Sequence, residues 1–497
     1  MTKTQALELL FDKNKIANAF DMAGSLENWD AATLGVPEKS IEARGAASGW
    51  LDGERFRRFI APDTLEAVET LEAFDSELNT YERAMTREIG RAYRKFNAVP
   101  PEEFEKNSAL VAQAQVVWET ARKERNYEMM LPYYEKVFDY QRRLCDWYGY
   151  EKHPYDALLD DYEKGATVEK LDKFFDPLRE KIIPLLKEIT DKGKQPKEIT
   201  GAFDLGKQRL LMPWLADITG FDRTRGKVGE VEHPFCTTIN RNDVRITTKY
   251  HENSLLSAVY SIIHECGHAI YEQNMREDMG RYGLDVEASC GMHESQSRLY
   301  ENMIGRSRAF AERLLPQLRE QFDYFADWDE EMVYRAINIA RPSLIRIEAD
   351  ELTYSLHIMV RYELEKALIT GDIKVADLPG LWSDKYNEVI GLRPNDLADG
   401  VLQDVHWSCG YVGYFPSYAI GTAYGVQMMH TIKKSVDIDA AVRNEDLSPI
   451  TGWLKENVHE QGALLLPDEL LKKATGEPFN PKYYTDYLSD KFTDLYL

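Results

Sequence analysis

The sequence AVYSIIHECGHAIYEQ, residues 258–273, places His264, Glu265 and His268 in the pattern H-E-x-x-H. Residues four apart lie on one face of an α-helix, so two imidazoles at this spacing can bind a single metal ion. Glu265 lies about 100° further round the helix, where its carboxylate can reach a water molecule beside the ion. This composition gives about 0.03 chance matches to the pattern. The stretch therefore predicts a metal site on a helix, and two core histidines that bracket a glutamate are the alternative.

The residues around the motif favour a buried helix. No proline occurs from 255 to 271, and Asn253 and Ser254 are residue types that begin helices. The segment 254–263 contains no charged side chain, so we expect the helix to lie in the interior. A glutamate in such a helix is costly to ionise unless a metal or another partner compensates for its burial.

Further out, the sequence predicts a mainly α-helical protein with a small β-sheet. Apolar residues recur at three- and four-residue spacing in 64–96 and 166–190. The segment 231–251 is rich in Thr, Val and Ile, and we predict a hairpin with strands 236–239 and 244–250. Helical patterns dominate after the hairpin. We expect a single domain, 1–497, made of a helical N-terminal lobe (1–230), a metal-binding core with the sheet (231–430) and a helical C-terminal segment (431–497).

Composition and charge limit the classes of partner. The 497-residue chain has a formal net charge of −23, which disfavours nucleic acid and anionic membranes as partners. We find no run of about 18 apolar residues and no apolar secretory segment at the N-terminus, so we expect no membrane span and a cytoplasmic location. The five cysteines are odd in number and widely spaced, which favours reduced thiols over a disulfide framework.

A catalytic zinc site needs a third protein ligand and one open position. Glu294, on a second helix-like segment at 291–306, is our candidate, and His293 is its rival. Neighbouring residues on a helix point about 100° apart, so we expect only one of the two to face the ion. Many such sites place an acid four residues after the ligand glutamate to orient a histidine, but Arg298 occupies that position here. The outer partners of the two histidines are therefore not identified.

These motifs resemble those of the carboxypeptidase Taq family of metallocarboxypeptidases. HECGH is followed by HESQSR at 293–298 and preceded by HPF at 233–235 and DVRIT at 243–247. IRIEAD at 345–350 and GVLQDVHW at 400–407 resemble the family patterns I-R-x-x-A-D and G-x-x-Q-D-x-H-W. Further similar segments occur at 28–37, 155–165 and 413–421, so the resemblance spans nearly the whole chain.

The resemblance implies a mainly α, two-lobed body with a deep active-site groove and a gluzincin-like core. It implies a homodimer that uses Zn²⁺, or Co²⁺ in its place, to release single C-terminal amino acids from peptides with broad side-chain tolerance. It also implies His264, His268 and Glu294 as metal ligands and Glu265 as the catalytic base.

The reaction needs a donor that stabilises the oxyanion formed at the scissile carbonyl. His406 and a tyrosine from 411–418 are candidates, and we favour Tyr418 over Tyr411. Aromatic packing is the alternative role for these rings.

Removal of a C-terminal residue requires a group that binds a free carboxylate. Arg346 is our choice, since its planar guanidinium can bond to both carboxylate oxygens. A salt bridge from Arg346 to Glu348 or Asp350 is the alternative.

Four further residues are candidates for substrate binding. Asp243, Arg245 and Thr247 alternate in DVRIT and would share one face of a strand. They would contact an extended peptide or limit its length, and ordinary outward polar positions on a hairpin are the alternative. The resemblance adds Gln403 in GVLQDVHW.

Two other functions stay open at this point. A zinc oligopeptidase or dipeptidase would use the same metal core. A non-enzymatic zinc-binding scaffold is the second alternative, although structural zinc sites favour four Cys or His ligands and here Glu265 is intact.

Overall fold

The computed structural model describes residues 1–497 and is mainly α-helical, as predicted. Its first ten helices are Lys3–Leu34 (α1), Ile41–Phe59 (α2), Pro62–Ala73 (α3), Thr80–Ala98 (α4), Pro101–Glu124 (α5), Leu131–Tyr148 (α6), Pro154–Tyr162 (α7), Val168–Lys192 (α8), Leu205–Thr219 (α9) and Leu255–Gln273 (α10). The others are Cys290–Arg298 (α11), Arg308–Gln321 (α12), Glu330–Ala336 (α13), Tyr354–Thr370 (α14), Leu378–Val389 (α15), Phe415–Ile432 (α16), Ile438–Arg443 (α17), Ser448–Asn457 (α18), Pro467–Thr475 (α19) and Lys482–Tyr496 (α20). A π-helical segment, Leu299–Ile304, directly continues α11. None of the helices combines the length and the hydrophobicity that a membrane span needs.

One sheet of three short strands lies beside α10. The strands are Gly226–Glu230 (β1), Cys236–Asn240 (β2) and Asp243–Thr248 (β3). The predicted hairpin is confirmed, because β2 pairs antiparallel with β3. Strand β1, which pairs parallel with the other side of β3, was not predicted. Its sequence GKVGE contains two glycines and no apolar alternation, so only its pairing with β3 makes it a strand.

Helix α10 begins directly after Ser254, as predicted, although the Ser254 side chain makes no capping hydrogen bond. The helix is buried along most of its length and packs against β3, α9 and α11. Helix α11 lies between α10 and α16. The motif helix is therefore at the centre of the protein, with the sheet on one side and α11 on another.

Three glycines bring α11 close to both of its neighbours. A Cβ atom on Gly267 of α10 would lie 2.7 Å from the carbonyl oxygen of Gln296 in α11. On α16, a Cβ on Gly421 would lie 2.7 Å from Cβ of Glu294, and one on Gly425 would lie 2.9 Å from a backbone oxygen of α11. Any larger residue at these positions would force the helices apart, so the glycines set the position of Glu294 across the site.

The main hydrophobic core contains side chains from Val99 to Tyr496, and α1, α3 and α4 share a smaller cluster. The main core includes residues on both sides of positions 230 and 430. The division into an N-terminal lobe, a metal-binding core and a C-terminal segment stays a prediction.

Candidate metal centre

Three side chains from α10 and α11 converge on one point. Nε2 of His264 lies 3.7 Å and Nε2 of His268 lies 3.5 Å from Oε2 of Glu294. A tetrahedral ion with bonds of about 2.0–2.1 Å needs ligand atoms roughly 3.3–3.5 Å apart. Both histidine–carboxylate distances are therefore close to those of a tetrahedral zinc site, and all three ligand atoms lie within 4.8 Å of one another.

The carboxylate of Glu294 is prepared for metal binding by its neighbours. Arg298 donates from Nε to Oε1 at 2.7 Å, and the Ser297 hydroxyl donates to Oε2 at 3.1 Å. Burial alone raises the pKa of Glu294, but the Arg298 guanidinium and the two histidines lower this pKa well below its ordinary value. Arg298, which stands where many such sites have an acid, thus keeps Glu294 ionised.

His293, the rival ligand, faces another partner. Its Nε2 lies 3.1 Å from Oε1 of Glu272, and its ring stacks on the ring of His268 with 4.1 Å between centroids. Nδ1 of His268 is buried without a hydrogen-bond partner, so His268 is oriented by this stacking and by its contact with Glu294.

The side chain of Glu265 is buried next to the converging ligands. Burial raises the pKa of Glu265 to about 7, and the neighbouring His264 opposes this rise. A carboxyl group with a pKa in this range can both accept and return a proton near neutral pH.

The aromatic candidates lie on α16 and on the loop before it. Nε2 of His406 is 3.3 Å from the hydroxyl of Tyr418, while the side chain of Tyr411 is 51% exposed. Burial lowers the pKa of His406 to about 4, so its imidazole is neutral near pH 7. Of the two tyrosines, Tyr418 is the one that the structure brings together with His406.

Arg346 is buried in a cluster with an excess positive charge. Its Nε and Nη2 atoms donate to Oδ1 of Asp404 at 2.9 and 2.8 Å, and Nη1 donates to the Tyr354 hydroxyl at 3.2 Å. Asp404 also accepts from Arg361 at 2.6 Å. Neither Glu348 nor Asp350, the acids considered from the sequence, pairs with Arg346. Asp404 supplies one carboxylate for two guanidinium groups, so these three side chains together carry one excess positive charge.

Asp243 and Arg245 of β3 pair with each other. Arg245 donates from Nε to Oδ1 of Asp243 at 2.8 Å and from Nη2 to Oδ2 at 2.6 Å, and its guanidinium lies over the ring of Trp29. Thr247 differs from its predicted role, because it is fully buried and its hydroxyl both donates to and accepts from the backbone of Phe235.

Gln403 also differs from the expected substrate contact. Its amide nitrogen donates to the carbonyls of Leu344 and Asp399, and its oxygen accepts from Arg361 and from the backbone of Arg346. All of its hydrogen-bonding capacity is used inside the protein. Gln403 therefore supports Arg346 and leaves no group free for a peptide.

The sequence reasoning missed Asp404 and Glu301. Asp404 is part of the quoted GVLQDVHW segment, next to Gln403, but its partners lie far away in sequence. Glu301 lies 2.8 Å from Nδ1 of His264 and follows Glu294 by seven positions, which is close to two full helical turns. That spacing was a usable signal for a second acid near the site, although the π-helical segment Leu299–Ile304 departs from the α-helical period on which the signal depends.

We expect Gly421→Ala to weaken metal binding, because the added methyl group must displace Glu294 or α11. Overpacking of this kind costs about 1–3 kcal/mol of unfolding free energy. The change is checked by titrating the metal-free protein with Zn²⁺ and by thermal unfolding. Gly452→Ala in α18 is the matched control, since a Cβ there has no atom within 4 Å and should leave the Kd for metal unchanged. Equal Kd values for both variants would show that the glycine contact does not position Glu294.

The chain is similar to proteins of one known family over nearly its whole length. The family description "Carboxypeptidase Taq (M32) metallopeptidase" matches residues 10–492. Carboxypeptidase 1 of Bacillus subtilis is 40% identical over 492 residues, which cover 98% of this chain and 98% of that protein. The structure of Pyrococcus furiosus carboxypeptidase is 35% identical, with a TM-score of 0.95 over 98% of this chain and 99% of the other. Trypanosoma cruzi metallocarboxypeptidase 1 is 35% identical, with a TM-score of 0.92 over 99% of each chain. The chain therefore belongs to the carboxypeptidase Taq (M32) family and is a metallocarboxypeptidase.

Proposed function

We propose that this enzyme is a zinc-dependent carboxypeptidase that releases single C-terminal amino acids from peptides with broad specificity. The observation that most supports exopeptidase action is the excess positive charge of the Arg346–Asp404–Arg361 cluster. A buried excess charge is stabilised by a bound counter-ion, and the C-terminal carboxylate of a peptide is an anion that guanidinium groups bind well. The Arg346 guanidinium lies 5.1 Å from the ring of Tyr418, which connects the cluster to the aromatic side of the site.

In this proposal His264, His268 and Glu294 hold the metal, and each other group has one task. A bound Zn²⁺, or Co²⁺ in its place, would lower the pKa of water and polarise a carbonyl group. Glu265 accepts a proton from the attacking water and returns it to the leaving amine. The Tyr418 hydroxyl, next to neutral His406, donates to the developing oxyanion.

Binding of the terminal carboxylate by Arg346 determines which peptide bond is cut. Because the guanidinium is held by Asp404 and Tyr354, the last residue of the peptide is placed at a constant distance from Glu265. We further propose that the Asp243–Arg245 pair contacts or limits the part of the peptide that lies before the scissile bond.

The test is release of free amino acid from N-blocked dipeptides and tripeptides, with and without a chelator. We expect the chelator to stop release and added Zn²⁺ or Co²⁺ to restore it, with only the C-terminal residue set free. Cleavage at internal bonds would instead assign an oligopeptidase activity to the same metal centre.

We also propose that the enzyme is a cytoplasmic homodimer, as the family resemblance implies. The five unpaired cysteines are consistent with a reducing compartment. Sedimentation velocity of the purified enzyme tests the dimer, and a single species at the monomer mass of 57.3 kDa would exclude it.

A further inference from the structure

Glu301 is a buried acid that contacts one of the proposed metal ligands from behind. Its Oε2 lies 2.8 Å from Nδ1 of His264, the ring nitrogen that points away from Glu294. The side chain is 12% exposed, so the contact is shielded from bulk water. A hydrogen bond between a carboxylate and the outer nitrogen of a ligand histidine fixes the tautomer and the ring orientation.

The position of Glu301 follows from how the two helices pack. Helices α10 and α11 run in opposite directions, since Gly267 approaches Gln296 while Tyr260 bonds to the carbonyl of Gly305. His264 lies one turn before His268 on α10, so its neighbours on the other helix lie later in the sequence than those of His268. Glu294 meets both histidines on their inner side, and Glu301 meets His264 on its outer side.

A change of helix type occurs at this point. The chain passes from α-helix to the π-helical segment Leu299–Ile304 directly after Arg298, and Glu301 lies inside that segment. π-Helical turns are rare in proteins, and those that occur are often found at functional sites. Glu301 makes its contact with His264 from within this segment.

Two arginines hold the Glu301 carboxylate in place. Arg298 donates from Nη1 to Oε2 at 3.0 Å, and Arg306 approaches Oε1 from Nη2 at 3.4 Å. Arg298 also donates to Glu294, so one guanidinium bridges the proposed ligand carboxylate and the acid behind His264. The orientation of the His264 ring is thereby coupled to that of Glu294.

We propose that Glu301 is a positioning residue that accepts the Nδ1 hydrogen of His264 and so keeps Nε2 of His264 free to bind the metal. The proposal rests on the metal site proposed above. It makes the two histidines unequal, because Nδ1 of His268 has no partner and its ring is oriented by stacking on His293. The orientation of the His264 ring should therefore depend on the Glu301 carboxylate, and the orientation of the His268 ring on its packing against His293.

The experiment measures metal binding to the full-length Glu301→Gln and Glu301→Ala variants. We expect the Kd for Zn²⁺ to rise about 10–100-fold in Glu301→Ala. A smaller rise is expected for Glu301→Gln, whose amide oxygen can still accept from Nδ1. The visible absorption spectrum of the Co²⁺-loaded protein should also change in both variants, since it reports the geometry of the ligands and not the stability of the fold.

Glu351→Gln is the matched control. Glu351 is an equally buried acid that pairs with Lys491 at 2.5 Å and with the Tyr487 hydroxyl at 2.6 Å, and it contacts none of the proposed ligands. This variant should lower the unfolding temperature but leave the Kd for Zn²⁺ and the Co²⁺ spectrum unchanged.

The outcomes separate this inference from the proposed function. If the wild-type enzyme bound no metal, the proposed metal centre itself would be wrong. If the wild type bound one ion and Glu301→Gln and Glu301→Ala matched it in Kd and in the Co²⁺ spectrum, only the role of Glu301 would be overturned. Should Glu301→Ala fail to fold, Glu301→Gln alone decides the question.

Discussion

Glu265→Gln is expected to bind one metal ion per chain and to lose about 10³-fold or more in kcat. Glutamine has nearly the shape of glutamate but cannot accept a proton from the attacking water, and general-base catalysis contributes about 10²–10⁴-fold. Loss of proton return to the leaving amine adds to the effect. Because the Glu265 carboxyl is buried and has a pKa raised to about 7, its replacement by a neutral amide should not destabilise the fold.

The measurement pairs turnover of an N-blocked dipeptide with metal content determined on the same sample. Metal content at the wild-type level separates loss of the base from loss of the ion. Gly452→Ala, away from the site, provides a variant prepared in the same way that should keep full kcat. A Glu265→Gln enzyme that retained both its metal and wild-type turnover would show that Glu265 is not the catalytic base.

Arg346→Ala is expected to lower kcat/KM for peptides with a free C-terminus by about 10²–10³-fold. Removing one partner of a buried, hydrogen-bonded charge pair costs about 2–5 kcal/mol, and each 1.4 kcal/mol is a factor of ten. Asp404 remains paired with Arg361 in this variant, so the protein itself is not left with an unpaired buried acid. The fold should therefore survive the substitution, which thermal unfolding will check.

The diagnostic result is a change in preference between two substrates. The wild type should cleave a free-carboxylate peptide much faster than its C-terminal amide, and Arg346→Ala should bring the two rates close together. Arg346→Lys should fall between them, because a lysine keeps the charge but not the planar pair of donors. A wild-type enzyme that cut amidated peptides equally well would refute the carboxypeptidase proposal.

Sequence periodicity was enough to predict the helix that carries the two histidines. His264 and His268 share a face because of their spacing, and the helix around them could be read from the absence of proline and charge. The hairpin was predictable because Asn240, Arg241, Asn242 and Asp243 mark a turn between two runs rich in β-branched residues. In each case the relevant interactions are local, so the chain itself contains the signal.

Three of the contacts that were not predicted join segments that are separate in sequence. Arg346 pairs with Asp404, 58 residues away in sequence, and not with either of the two acids within four positions. Thr247 looks like an exposed strand residue, yet the segment around Phe235 folds over its hydroxyl. Strand β1 exists only because β3 offers it an edge. These partners are determined by which distant segment packs against each residue. Local sequence patterns contain no information about that packing.

The glycine contacts around α11 also bear on which ions the enzyme would accept. An ion such as Ca²⁺ prefers bonds of about 2.3–2.6 Å and more oxygen ligands than this site provides. Any movement of Glu294 away from α10 would press α11 against α16, where only the missing side chain of Gly421 leaves room. The close packing of the three helix backbones therefore restricts how far Glu294 can move relative to His264 and His268. Discrimination by ionic radius would then reside in residues that never touch the ion, and it could be altered without changing a single ligand.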